Sequence, residues 1–170
     1  MGGSYGFEGT EPSVHEEASV SAEATLIGDV TVAADATVWP EAVLRGDVKP
    51  VGVGRESHVG DNAVIHASQV GERVMIGHGA VVNDAEVGDG ALIGFNATIN
   101  TDVTVGADAI VAAGTVLPEG YEVPSESFAR GVPARVTPLA ETDLDPDAIS
   151  ERYSSGEYTD LADRHDELFE

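Results

Sequence analysis

Aliphatic residues recur at every sixth position along most of this chain. They fall at Val14, Val20, Leu26, Val32, Val38 and Leu44, then at Val53, Val59 and Ile65, and then at Val70, Ile76 and Val82. The series runs on through Val87, Ile93, Ile99, Val105, Val111 and Leu117. Four residues after most anchors stands a small or β-branched residue, as at Ala24, Ala36, Ala63, Ala80, Ala97 and Ala109. A helix of 3.6 residues per turn cannot keep every sixth residue on one side over this length, whereas short strands joined by tight turns can. Grouped in threes, the anchors make rungs. Each irregular step (Leu44 to Val53, Ile65 to Val70, Val82 to Val87) then falls between the last anchor of one rung and the first of the next. Length changes are thus confined to one corner of a three-sided prism.

The pattern predicts an all-β fold, a single-stranded left-handed parallel β-helix built from hexapeptide repeats, with about six coils over residues 14–137. Residues 1–13 have neither a basic region nor an apolar run and are expected to form a flexible arm rather than a secretion signal. Past Leu117 proline and glycine take over. Asp145-Pro146-Asp147 then reads as an N-cap followed by proline at the first helical position. A helix through Ile149 and Tyr153, broken near Gly156 and resuming to Phe169, places Leu161, His165 and Leu168 on one face. The segment 138–170 is therefore expected to pack along the prism.

The same grouping predicts outward-facing columns. Arg45, His66, Asn83 and Asn100 follow the third-face anchors; Gly60, Gly77 and Gly94 follow the second-face anchors, with Asp61, His78 and Phe95 one step further on. The glycines are read first as backbone devices for tight turns and close approach. His15 and His165 are read as surface or packing residues. His58, His66 and His78 crowd into two adjacent coils, and neutral imidazoles beside carboxylates are what a zinc or iron(II) site requires. The second and third faces of one chain point in different directions. A parallel three-fold homotrimer would set one subunit's third face against its neighbour's second face.

Composition narrows the chemistry. Cysteine is absent, so disulfides, thiolate nucleophiles and cysteine-ligated zinc are excluded. Asp and Glu total 31 against 8 Lys and Arg, a formal charge of -23 spread along all 170 residues. Such an excess repels itself at ordinary ionic strength and suggests a high-salt cytoplasm, as in halophiles. It also argues against nucleic-acid and anionic-membrane partners, since no basic stripe is present.

The stretch Leu44-Arg45-Gly46-Asp47, the run Gly60-Asp61-Asn62-Ala63-Val64-Ile65-His66, the segment Ile76-Gly77-His78 and the tail Gly131-Val132-Pro133-Ala134-Arg135 resemble the γ-class carbonic anhydrases. The resemblance runs from about Thr25 onward. It implies reversible hydration of carbon dioxide to bicarbonate by a Zn2+- or Fe2+-bound hydroxide at each subunit interface. His66 and His78 would be ligands, Arg45 and Asp61 an interface ion pair, and Asp47 an acidic residue beside it. The chain departs from that family at Asn83, where a third histidine is expected, and at Gly60, where a glutamine is expected. The acidic shuttle loop is also missing. His58 as a substitute ligand, Asn83 ligating through its amide oxygen, and a metal-free site all stay open. Two other functions stay open with them. One is a non-catalytic scaffold trimer. The other is a hexapeptide acyl-CoA transferase, which ranks last because the insertion Asp47 to Gly52 is short and cations to meet the coenzyme phosphates are few.

Overall fold

The computed structural model describes residues 3–165 and 167–169. The chain winds into a left-handed parallel β-helix of about seven turns. The hexad anchors stack in register on all three faces. On the first, Val14 lies on Val32, and Val53, Val70, Val87, Val105 and Val123 continue the column. Val20 through Val111 form the second, and Leu26, Leu44, Ile65, Val82, Ile99 and Leu117 the third. Their side chains fill the prism with the small residues between them. Two hydrogen-bonded sheets result: the second face is one, and the first and third faces join as the other. They join because the strands Thr25–Val32 and Val43–Val53 pass through the corner between these faces.

Corner residues explain part of the acidity. Most corners from Gly28 onward set one residue at positive φ, a conformation that Gly, Asn and Asp adopt most readily. Asp35, Asp108, Asn62, Asn96, Asp84 and Asp102 sit there at φ between 48 and 60.

Three boundaries differ from the sequence reading. Gly3–Tyr5, in the expected flexible arm, pairs in parallel with Thr25, Leu26 and Ile27 and adds a strand below the third face. The repeat does not stop at Leu117. Val123 and the small anchor Ala129 extend it, and Ser127–Gly131 then folds back against Ala134–Pro138 as an antiparallel hairpin. The two helices, α1 (Pro146–Arg152) and α2 (Ser155–Ala162), follow a short 3-10 turn at Leu139–Glu141, and α2 ends seven residues short of Phe169. The cap is as expected: the Asp145 carboxylate accepts from the Ala148 N–H at 3.1 Å, with Pro146 behind it. α2 lies on the second face, against the strands Thr37–Val38 and His58–Val59. Among the described residues no helix is long and apolar enough to cross a membrane.

Candidate functional site

On the third face Arg45, His66 and Asn83 stack as expected, each paired with the next in register. His66 Nδ1 lies 2.9 Å from Asn83 Oδ1, which can only accept, so Nδ1 carries a proton. Its Nε2 is 3.1 Å from Arg45 Nη2 and 3.3 Å from Asp47 Oδ1. Arg45 Nε also pairs with Asp47 at 3.1 Å, and the Asn83 amide donates to Thr101 Oγ1 at 3.1 Å. Both ring nitrogens of His66 are therefore engaged within one chain.

The second face holds a different arrangement. His78 and Asp61 occupy the corner position of neighbouring coils, and Asp61 Oδ2 stands 2.7 Å from His78 Nδ1. The Asp61 backbone N–H points at the same nitrogen from 3.1 Å. These contacts compete for one atom. A carboxylate approaches so closely only if Nδ1 is protonated, so the ion-pair geometry decides the tautomer and leaves Nε2 as the ring's open acceptor. Phe95, one coil further on, stacks on the imidazole at 5.2 Å and 14°. Gly60 makes room for the ring, since a Cβ there would lie 2.9 Å from both the His78 backbone N and Nδ1.

His58 starts the strand below. Its Nδ1 contacts Thr37 Oγ1 at 3.1 Å, the residue is 1% exposed, and its Nε2 has no partner. Burial pushes its pKa down to about 3, with the neighbouring His78 adding to the effect, so the ring is neutral. Tyr158 of α2 covers it at a ring separation of 4.1 Å. The structure thus gathers Arg45, Asp47, His66 and Asn83 on one sheet, and Asp61, His78 and His58 on the other. His58 lies under a helix, away from His66 and Asn83. Among the described residues no group of three or more His, Asp or Glu is arranged to hold a metal ion.

A trough runs up the second face from this point. Gly60, Gly77, Gly94 and Ala112 line up beneath Arg130, each one residue past an in-register anchor. Above His78 the trough opens into an apolar groove of about 210 Å³, walled by Leu92, Phe95, Ile110 and Phe128. At its upper end the hairpin sets Arg130 directly opposite Arg135. Both are exposed, and among the described residues neither joins an ion pair. A larger cleft of about 1020 Å³ opens between this sheet and residues 138–156. Its side-chain charges are mostly carboxylates, and its Arg73 is tied to Glu72. Trp39, Tyr158 and the arginine pair escape the sequence reading. Trp39 had a signal, because it stands one residue after the anchor Val38, in the column of Gly60 and Gly77.

Residues 84–119 match the family described as bacterial transferase hexapeptide (six repeats). A hexapeptide transferase family protein from Anaplasma phagocytophilum is 27% identical with a TM-score of 0.89, over 96% of this chain and 98% of its own. A Bacillus cereus protein provisionally assigned as an acetyltransferase is also 27% identical, at a TM-score of 0.81, over 93% of this chain and 97% of its own. A point mutant of perosamine N-acetyltransferase from Caulobacter crescentus, in complex with CoA and GDP-perosamine, is 26% identical at a TM-score of 0.54, covering 74% of this chain and 56% of its own. No curated protein matches the sequence. These relatives overturn the carbonic anhydrase reading. The matches are to transferases, and three residues that carried the resemblance, Arg45, Asp47 and His66, are bonded to one another on the third face, with His66 also bonded to Asn83.

Proposed function

We propose that this chain, a hexapeptide-repeat protein of the left-handed β-helix superfamily, is an acyl-coenzyme A-dependent acyltransferase working as a homotrimer. The observation that carries this reading is the trough. It has an imidazole–carboxylate dyad at one end, an apolar groove in the middle and, at the other, two guanidinium groups that join no ion pair among the described residues. Like charges directly opposite each other on paired strands are destabilising. In a chain with so few cations, such a pair makes sense where an anion meets both. From the His78 coil to Arg130 is three strand steps, ~14 Å at the usual spacing, which suits an extended pantetheine arm between a thioester and its phosphates. The sequence reading ranked this function last on its short insertion and on the number of cations; the position of the cations matters more than their number.

His78 is the general base. Asp61 holds the proton on Nδ1, and Nε2 takes a proton from the attacking amine as its nitrogen bonds to the thioester carbonyl carbon. The carbon–sulfur bond breaks, and the thiolate leaves with the proton that Nε2 returns. The products are an amide and the free coenzyme thiol. A thioester is already activated, so the step needs no Lewis acid. His66, with both nitrogens engaged, serves to tie the third face together.

Thiol release from acetyl-CoA with an amino-sugar acceptor, measured at high salt, tests the reading. Removing a general base typically costs about 10²–10⁴-fold in rate, so His78→Ala should lower kcat by that factor. Arg130→Ala with Arg135→Ala should raise the KM for acetyl-CoA and leave the KM for acceptor alone. Full activity in His78→Ala would overturn the assignment.

A further inference from the structure

The trough also has a lower end, where the chain leaves two polar atoms buried without partners. Trp39 closes the column of Gly60 and Gly77 from below; it is 8% exposed and its Nε1–H has no acceptor. His58 Nε2, on the wall of the same column, has no partner either. Buried polar atoms are nearly always satisfied, and each orphan needs an explanation. Here two lie together, with ring centroids 5.8 Å apart, and the His78 ring is 6.4 Å from that of His58.

The C-terminal segment fills the space these groups face. The Tyr158 ring lies 4.1 Å from His58 and 6.1 Å from Trp39, while His165 and Phe169 pack edge-on to the indole at 5.9 and 5.2 Å. Among the described residues, few polar contacts fasten the segment. Thr159 Oγ1 donates to the Asp35 carbonyl at 2.8 Å, and the Ala22 N–H donates to the Leu168 carbonyl at 3.2 Å. The aromatic cover satisfies neither orphan.

We infer that the space taken by the Tyr158 side chain, beside His58 and above Trp39, is an acceptor-binding subsite, and that the segment from Ser155 to His165 is a lid that lifts to admit the acceptor. This rests on the transferase reading for the identity of His78 as base. The chemistry selects the ligand class. The indole N–H only donates, so the acceptor carries an oxygen that accepts. Asp61 and the large negative charge attract a cation, so the nucleophile is a primary amine that arrives protonated. It releases that proton to solvent and only then attacks as the neutral amine, whose second proton passes to Nε2. A small amino sugar or amino alcohol fits both demands.

Trp39 is the chain's only tryptophan, so intrinsic emission reads this subsite directly. The probe is glucosamine, titrated into the full-length protein at high salt without acyl-CoA. A saturable change in emission is expected in the native chain. Tyr158→Ala, which removes the group filling the space, should lower the glucosamine Kd about tenfold and increase acrylamide quenching of Trp39. Thr159→Val serves as a second lid variant, because it removes only the bond to Asp35 and leaves the subsite intact; it should shift both readouts in the same direction. Absence of a saturable response in all three proteins would overturn the subsite. An unchanged Kd in both variants would overturn the lid. Glucosamine binding without any thiol release from added acetyl-CoA would reject the transferase reading and leave the subsite standing.

Discussion

The His58 imidazole is neutral because charging it would strand a cation between Trp39 and the covering Tyr158, where neither ring supplies a compensating acceptor. Its folded-state pKa, about 3, lies below the ordinary value of 6.5. Protons therefore bind more readily to the open form. The stability that comes from the closed lid is fully present above about pH 6.5 and is lost progressively as the pH falls toward 3. The neighbouring His78 pushes the His58 pKa in the same direction as burial, while Asp61 stands beside His78 and Glu157 beside Tyr158. Acrylamide quenching of Trp39 should rise on acidification below about pH 6.5 in the native chain. In His58→Leu, whose side chain cannot titrate, quenching between about pH 6.5 and 5 should be flat. A quenching profile identical in the two proteins would assign the pH response to another group.

The strands are so short, commonly two residues, that they are held by stacking rather than by their own length. Ile76 is fully buried between Val59 and Ile93, and truncation there leaves a cavity that rigid neighbours cannot close. Ile76→Ala should cost about 2–5 kcal/mol in chemical denaturation, the usual range for such truncations. α1, by contrast, is a surface element. Asp145→Ala removes the cap and should cost about 1 kcal/mol locally, read as faster amide exchange in residues 146–152 with an unchanged global midpoint. A global loss would show that α1 and the prism unfold as one unit. Much of this architecture was legible in the sequence. Val20 and Val38 declare the second face because a period of six and one strand step are local properties. Ala129 was not legible as an anchor, since a small residue in a hexad series looks like its absence until a strand is seen to pair with it.

Across the whole molecule the formal charge of -23 works against compaction and would oppose the binding of the proposed polyanionic coenzyme. Screening relieves both, with a Debye length of about 10 Å at 0.1 M salt and about 3 Å at 1 M. Raising KCl from about 0.1 to about 2 M should raise the thermal midpoint and lower the KM for acetyl-CoA together. A KM that rises with salt would mean that local attraction by Arg130 and Arg135 outweighs the field of the whole chain.

The amino-acid order alone determined the three-sided coil, because each inward position is set by neighbours six residues away and by the pleat of the strand. It also placed His66 beside Asn83, since register follows from rung length. It did not determine which histidine stays open for chemistry. That was decided by a contact between residues distant in sequence, Tyr158 closing over His58 one hundred positions earlier, while the hairpin that brings Arg135 opposite Arg130 is a local turn outside the hexad pattern. A repeat propagates locally, whereas a lid and an anion clamp exist only once the chain has folded back on itself.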